Sequence, residues 1–436
     1  MPRGPKNLKI AFTDKAQTHF GGIYFLHEFV RLLQLQDRMA RAIKDARPRT
    51  RYTVSQMLLA FVYPVILGLD RLEATYFLRS NGIFQYLTGL PRFPNATTLR
   101  RFLYHAAPDL ETQLTRLVDR LTAALLQRPH RRSRLLLDID STVLTVYGQH
   151  ERAHRAYNPK RRGARSYEPL ICFEANSGLF WAGRQRPGGS PGTEEVVPLL
   201  EQCWAMMPDS IREVRLRGDH SFYSDDTLTW LEARHAQYAI VARLTKPVKH
   251  RITTVRYRPV STHWAVAELS YQASGWTKKR RIIAVRKRLE ERDPQPTLFV
   301  RGRYAYHAYV TNLDLLPEHV WRFYNDRAGL ELLIKELRYD YGLGHIPTRR
   351  FQANALYLQL LRLAYNLVVG FQTLSLSDGW HQATLGTIRN EFFLLPAVLA
   401  RPQGRPTLRF PRYLSAREDC EQVIKNLRSL RGDPIW

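Results

Sequence analysis

The chain has 436 residues, long enough for two or three domains, and its 44% hydrophobic and 11% aromatic content can build full cores, which excludes a disordered basic tail protein. Lys and Arg number 66 against 39 Asp and Glu, a formal charge of +27. On a folded chain that excess marks a polyanion binder, because cations that neutralise phosphates release condensed counterions; ribosomal and membrane-surface proteins share the mark, so it names no reaction.

Residues 1–130 read as an all-helical N-terminal DNA-binding region. From Tyr24 to about Gln127 apolar residues recur at three and four, as in Met57, Leu58, Phe61, Val62, Val65, Ile66 and Leu69. Asn95 is a good helix cap, and the helix it opens carries Arg100 and Arg101 beside Leu99 and Phe102. That segment predicts the recognition helix of a helix-turn-helix; an ordinary amphipathic helix with a solvated basic face fits the same pattern.

After a basic linker, Arg128 to Arg134, the texture changes. Residues 131–244 predict strands at Leu135–Val143, Pro169–Ala175 and Leu179–Ala182, a helix from about Gly192 to Met207, a strand at Glu213–Arg217, a helix at Ser224–His235 and a strand at Tyr238–Arg243. The order βββαβαβ suggests a mixed sheet. Residues 245–313 are basic and strand-like, a β-rich insertion with Trp264, Trp276 and Tyr304. Helical periodicity resumes over 314–375, and 376–436 is a mixed tail whose expected role is DNA binding or dimerisation. Cys172, Cys203 and Cys420 stand in no paired spacing, against a disulfide framework or a zinc site and in favour of a reducing cytoplasm. The N-terminus lacks the apolar stretch of a signal peptide, and Ala355–Phe371 is interrupted by Gln359, Arg362 and Asn366, so it reads as a buried helix and not a membrane span. A soluble, cytoplasmic protein without a membrane partner is expected.

In so basic a chain a few acids resist a solvated-surface explanation. Asp138 and Asp140 lie in an apolar strand and share one face at period two. Asp219 follows Gly218 at the end of another strand, where open sheets place ligands. If the two strands are neighbours, Asp140 and Asp219 repel unless a cation lies between them. Two divalent metals held by such acids activate an attacking oxygen and stabilise a leaving one in phosphoryl transfer, and magnesium suits carboxylate oxygens. Tyr324, Arg327 and Glu331, spaced at three and four, share a helical face that Lys335 and Arg338 continue.

With these residues in view, the sequence resembles a bacterial insertion-sequence transposase of the DDE class, in the hairpin-forming cut-and-paste group with a Tyr-x2-Arg-x3-Glu-x6-Lys signature. Tyr324, Arg327 and Glu331 match its spacing, and Arg338 stands where the pattern has Lys. Asp140-Ser-Thr142 and Arg217-Gly-Asp219-His-Ser-Phe222 resemble the segments around its first two aspartates. Tyr157 to Tyr167, with Lys160, Arg161 and Arg162, resembles a basic loop common among such enzymes. The resemblance implies an α/β fold, an RNase H-like mixed-sheet catalytic core completed by the Glu331 helix. It implies that Asp140, Asp219 and Glu331 bind two Mg²⁺ ions, which Mn²⁺ can replace, and that Tyr324, Arg327, Lys335 and Arg338 contact DNA. It further implies nicking at terminal inverted repeats, a hairpin intermediate, strand transfer into target DNA, and a homodimer that cuts two ends together. An aromatic of the insertion stacks on a flipped base in that group, with Trp264, Trp276 and Tyr304 as candidates here. Asp138 competes with Asp140 for the metal role; the Ser-Thr after Asp140 favours the latter. The competing readings are another RNase H-fold nuclease, a catalytically inactive regulator derived from a transposase, and a basic RNA-binding structural protein. The basic segments Arg128–Arg134, Lys160–Arg165 and Lys278–Arg281 are expected to line the DNA path.

Overall fold

The computed structural model describes residues 12, 16–44, 51–90, 92–105, 108–156, 158, 161–189, 195–290, 299–432 and 435–436. A short strand β1 (Gln17–Thr18) precedes seven helices: α1 (Ile23–Leu32), α2 (Leu35–Ala42), α3 (Val54–Ile66), α4 (Tyr76–Arg79), α5 (Gly82–Leu87), α6 (Ala96–His105) and α7 (Pro108–Leu126). The helical reading of this region holds. Asn95 does cap α6, its Oδ1 accepting from the Thr98 amide at 2.7 Å. A tight helix-turn-helix is not formed, however: residues 88–95 separate α5 from α6, and Leu99, Phe102 and Leu103 are buried as α6 packs on α3 and on a later helix, Phe351–Ser375. The apolar stripe of α6 found a larger partner than α5.

The α/β part opens with β2 (Arg134–Ser141), β3 (Leu144–Thr145), β4 (His154–Arg155), β5 (Arg165–Tyr167), β6 (Leu170–Glu174) and β7 (Phe180–Arg184). There follow α8 (Val196–Ala205), β8 (Glu213–Gly218), α9 (Asp225–Glu232) and β9 (Gln237–Val241). Next come α10 (Lys246–Thr254), β10 (Arg258–Pro259), β11 (Trp264–Tyr271), β12 (Arg280–Arg288), β13 (Phe299–Arg301) and β14 (Tyr304–Thr311). The chain ends with α11 (Pro317–Asn325), α12 (Ala328–Tyr339), α13 (Phe351–Ser375), α14 (Leu385–Ile388), β15 (Ala397–Ala400), β16 (Thr407–Arg409) and α15 (Arg417–Ser429).

Ten strands form one mixed sheet in the order β10-β11-β12-β14-β9-β8-β2-β6-β7, with β13 on β14. Within it β7, β6 and β2 run antiparallel in succession, then β2, β8 and β9 run parallel. This is the RNase H-like arrangement, with β2 at its centre. Leu135, Leu137 and Ile139, on one face of β2, are fully buried, while Asp138 and Asp140 stand on the other. The β-rich stretch is continuous with this sheet, since β14 pairs antiparallel with β9 and carries β12 and β11 outward. A separate core of Val266, Ile283, Val285, Tyr309 and Val320 fixes α11 to that extension.

Helix α13 is buried along nearly its whole length, and the polar residues that interrupt it serve the sheet's edge. Arg362 Nε donates to the Phe180 carbonyl at 3.0 Å, Gln359 to Gly183 O at 2.8 Å, and Asn366 Oδ1 accepts from Phe180 N at 2.9 Å. Arg362 also pairs with Asp119 of α7 at 2.6 Å. Side chains thus take the place of a further strand on β7, satisfying backbone groups that would otherwise be buried unpaired. The tail returns to the start of the chain: β1, β15 and β16 form a three-stranded sheet, and α15 packs on α13 and α1. No helix among the described residues is long and apolar enough to cross a membrane.

Candidate active site

Parallel pairing sets Ile139 opposite Gly218, so the next residues, Asp140 and Asp219, emerge side by side at the ends of β2 and β8. A β-carbon at Gly218 would lie 3.1 Å from the Phe222 ring and 3.2 Å from Ile139, so this strand end is closely packed. Asp219 then caps a short helical turn, Oδ1 accepting from Ser221 N at 2.9 Å. Asp140 Oδ1 accepts from Ser141 N at 2.8 Å, and its Oδ2 lies 3.1 Å from Arg327 Nη2. Burial raises the Asp140 carboxyl to about 6, Arg327 opposing the rise and Asp219 adding to it. The two acids therefore repel as expected, and here a guanidinium lies against one of them.

Asp138 is removed from this chemistry. Its two oxygens take a bidentate pair from Arg217, Nε at 2.6 Å and Nη2 at 2.7 Å, with both side chains buried. Arg217 Nη1 donates to Phe323 O at 2.7 Å, tying β8 to the end of α11. Sequence reading did not single out Arg217; its signal was its place two residues before Asp219, in a strand otherwise set against acids and apolar residues.

Helices α11 and α12 are not one continuous helix. Arg327 N bonds to Tyr324 O and Leu330 N to Arg327 O, tighter turns that join them at Asp326–Arg327. At that joint Arg327 turns inward, 9% exposed, and donates to Ile139 O at 2.8 Å. Its Nε is buried without an acceptor among the described residues. Tyr324 packs its ring 4.6 Å from that of Tyr309, and burial raises its hydroxyl to about 12, so the phenol stays protonated. Arg338 donates to Val143 O, just past β2. Glu331 lies between Arg327 and Arg338 on the same flank of α12 and is exposed, as is Lys335. Among the described residues no three His, Cys, Asp or Glu side chains come together closely enough to hold a metal ion. The structure thus joins Asp140, Asp219, Tyr324 and Arg327, and leaves Glu331 apart from the aspartate pair.

Beside the end of β2 a cleft of about 820 Å³ runs between the helical region and α12, lined by Arg71, Arg100, Leu144, Tyr147, Arg161, Arg338 and His345 among others. Arg100 is paired with Glu73, and the Arg161 guanidinium stacks 5.4 Å from the Tyr147 ring centroid. His345 Nδ1 lies 2.6 Å from Asp70, and His220 Nδ1 3.7 Å from Asp219. Arg101 and Arg162 are exposed; Lys160 lies outside the described residues. The Lys278–Arg281 segment is largely spent internally: Arg280 pairs with Asp225 at 2.5 Å and Glu232 at 2.9 Å, Lys278 with Glu232 at 3.1 Å, and Arg281 with Glu268 at 2.7 Å. The insertion aromatics are packed too, Trp264 on Trp321, Trp276 on Tyr223 and Arg280, Tyr304 on Arg286.

An RNase H-like sheet with paired aspartates at the ends of its two central parallel strands defines a class of proteins that act on phosphodiesters of nucleic acids. The family model described as "Transposase DDE domain group 1" matches residues 2–432, and the chain belongs to that family of DNA transposases. Among solved structures it is similar to a piggyBac transposase synaptic complex with hairpin DNA determined by cryo-EM, at 13% identity and a TM-score of 0.46, covering 97% of this chain and 87% of that one. No curated protein matches it.

Proposed function

We propose that this transposase cleaves DNA at the terminal inverted repeats of an insertion sequence and joins the freed ends to target DNA by cut and paste, through a hairpin intermediate and with magnesium. The observation that carries the reading is the emergence of Asp140 and Asp219 side by side at the ends of β2 and β8, with a cation drawn to them. Two carboxylates whose mutual repulsion already recruits a guanidinium suit a hard divalent ion with oxygen ligands. Asp140 and Asp219 would hold it, and Glu331, exposed on α12 and apart from the aspartate pair in this structure, is the third donor we assign on its spacing from Tyr324 and Arg327. When bound, such an ion polarises the attacking oxygen and stabilises the leaving one.

The chain's own groups do the rest. Arg327 neutralises Asp140, and the same guanidinium would pair with a phosphate oxygen brought to that acid. Tyr324, protonated at working pH, donates a hydrogen bond and acts as no base. Arg338, Arg161 and Arg100 line the cleft along which the backbone of a terminal repeat would run, with Lys335, Arg101 and Arg162 as further phosphate contacts and Lys160 assigned the same role on its sequence alone. A water hydrolyses one phosphodiester and frees a 3′ hydroxyl; that hydroxyl attacks the opposite strand, forming the hairpin phosphodiester and releasing the flanking DNA. A second water reopens the hairpin and regenerates the 3′ hydroxyl, which attacks a target phosphodiester and displaces a target 3′ oxygen. Two protomers, each holding one end, would cut together.

The test is to incubate the full chain with Mg²⁺ and a labelled duplex carrying the inverted repeats that flank its own coding sequence. Hairpin-capped ends are expected. Nicks without hairpins would point to a plain RNase H-fold nuclease, and no cleavage in either Mg²⁺ or Mn²⁺ would sink the proposal.

A further inference from the structure

Residues 246–311 contain 15 Lys or Arg against 4 Asp or Glu, so 66 residues hold 11 of the chain's 27 net charges. Part of this is neutralised at home, by the Arg280, Arg281 and Lys278 pairs above and by Arg258 with Glu318 at 2.5 Å. The remainder gathers at the outer end of the sheet, beside α10, where Arg301 Nη1 donates to Thr253 Oγ1 at 2.9 Å. Antiparallel register sets Arg288, Tyr304 and Arg301 in one row across β12, β14 and β13. Arg286, two residues before Arg288 on the same face, lies between two rings, 4.3 Å from the Tyr257 centroid and 4.6 Å from that of Tyr304. Its Nε is buried with no acceptor among the described residues. Lys249 of α10 holds its ammonium 4.7 Å from the Phe299 ring centroid.

An ion pair consumes a cation's charge inside the protein, whereas a ring fixes its position and leaves its charge and outer donors available. A face built this way is pre-arranged for a polyanion. Segments 246–259, 280–288 and 299–311 contain no Asn, Gln, Asp or Glu, the side chains that with Arg read base edges. The cations and rings that remain favour contacts to the phosphodiester backbone, which position a duplex and carry no sequence information. The row also lies apart from the aspartates: β12 is three strands from β8, about 14 Å at the usual spacing.

We propose that this outer sheet face is a second docking surface for duplex DNA of arbitrary sequence, and that it holds the target duplex during strand transfer; the target assignment rests on the transposase reading above. The test uses the full chain with Lys249→Ala, Arg288→Ala and Arg301→Ala combined. In metal-free buffer its affinity for a labelled random-sequence 30-base-pair duplex, read by fluorescence anisotropy, should fall at least tenfold. The slope of log affinity on log salt should shrink by about 2.7, three phosphate contacts at about 0.9 each. Transfer of pre-cut ends into plasmid should fall about tenfold while end cleavage stays within twofold. Unchanged affinity and slope would overturn the surface, and an equal loss of cleavage and transfer would overturn the target assignment. Arg288→Ala with Arg301→Ala, both at exposed positions, carries less risk to the fold and should shrink the slope by about 1.8. If the wild type neither cleaves nor transfers, the function proposed above fails, while the binding measurement still judges the surface.

Discussion

Asp138 and Asp140 share a strand and a face, yet one is locked in a buried pair and the other meets the solvent-facing end of the sheet. Asp140→Asn should therefore abolish cleavage with the protein folded. Asp138→Asn should instead weaken the pair that holds Arg217, costing up to about 3–5 kcal/mol of stability while the folded fraction still nicks DNA. Nicking assays normalised to folded protein separate the two, and equal loss would reverse the assignment. The acid pair also predicts a pH dependence. Asp140 titrates at about 6 in the folded chain and near 4 when unfolded, so between these values the folded state binds more protons. Stability then falls as pH rises from about 4 to about 6 and stays reduced above. In EDTA, Asp140→Asn should melt no higher than wild type near pH 4 and several degrees higher at pH 7, reflecting up to about 3 kcal/mol; a difference independent of pH would contradict the raised carboxyl.

At the level of elements, α13 shows what periodicity can and cannot reveal. Its apolar spacing marked a buried helix, and Gln359, Arg362 and Asn366 looked like interruptions because their partners, the carbonyls of β7, lie some 180 positions away in the chain. Arg362→Met should leave Asp119 without its cation and the Trp181 carbonyl without its side-chain donor, and cost about 3–5 kcal/mol in urea unfolding, with DNA affinity of the folded protein unchanged. The same reasoning explains the legibility of the site. Asp140 and Asp219 were readable because each ends a strand and Gly218 marks the turn. The Arg327 contact with Asp140 and the bracing of Asp138 by Arg217 depend on strand order and on the tight joint between α11 and α12, which no local pattern encodes. The junction of β14 with β9 was hidden for a like reason, since alternation identifies a strand but not its neighbour.

Across the whole molecule, the first and last described segments form one structure. Gly21 and Gly22 abut the tail so closely that a β-carbon on Gly22 would lie 1.7 Å from the Phe392 carbonyl oxygen. Gly22→Ala should cost at least about 2–3 kcal/mol, read as a lower melting temperature, whereas Gly82→Ala, with open space around it, should change little. Arg38 of α2 stacks 4.5 Å from the Trp436 ring centroid, closing the same contact from the other side. This pairing of β1 with β15 has a consequence for the order of synthesis. β1 finds its partner strand, and α1 the packing of residues 389–393 and of α15, only when those segments have left the ribosome, so a product terminated before them should expose β1 and α1 to protease.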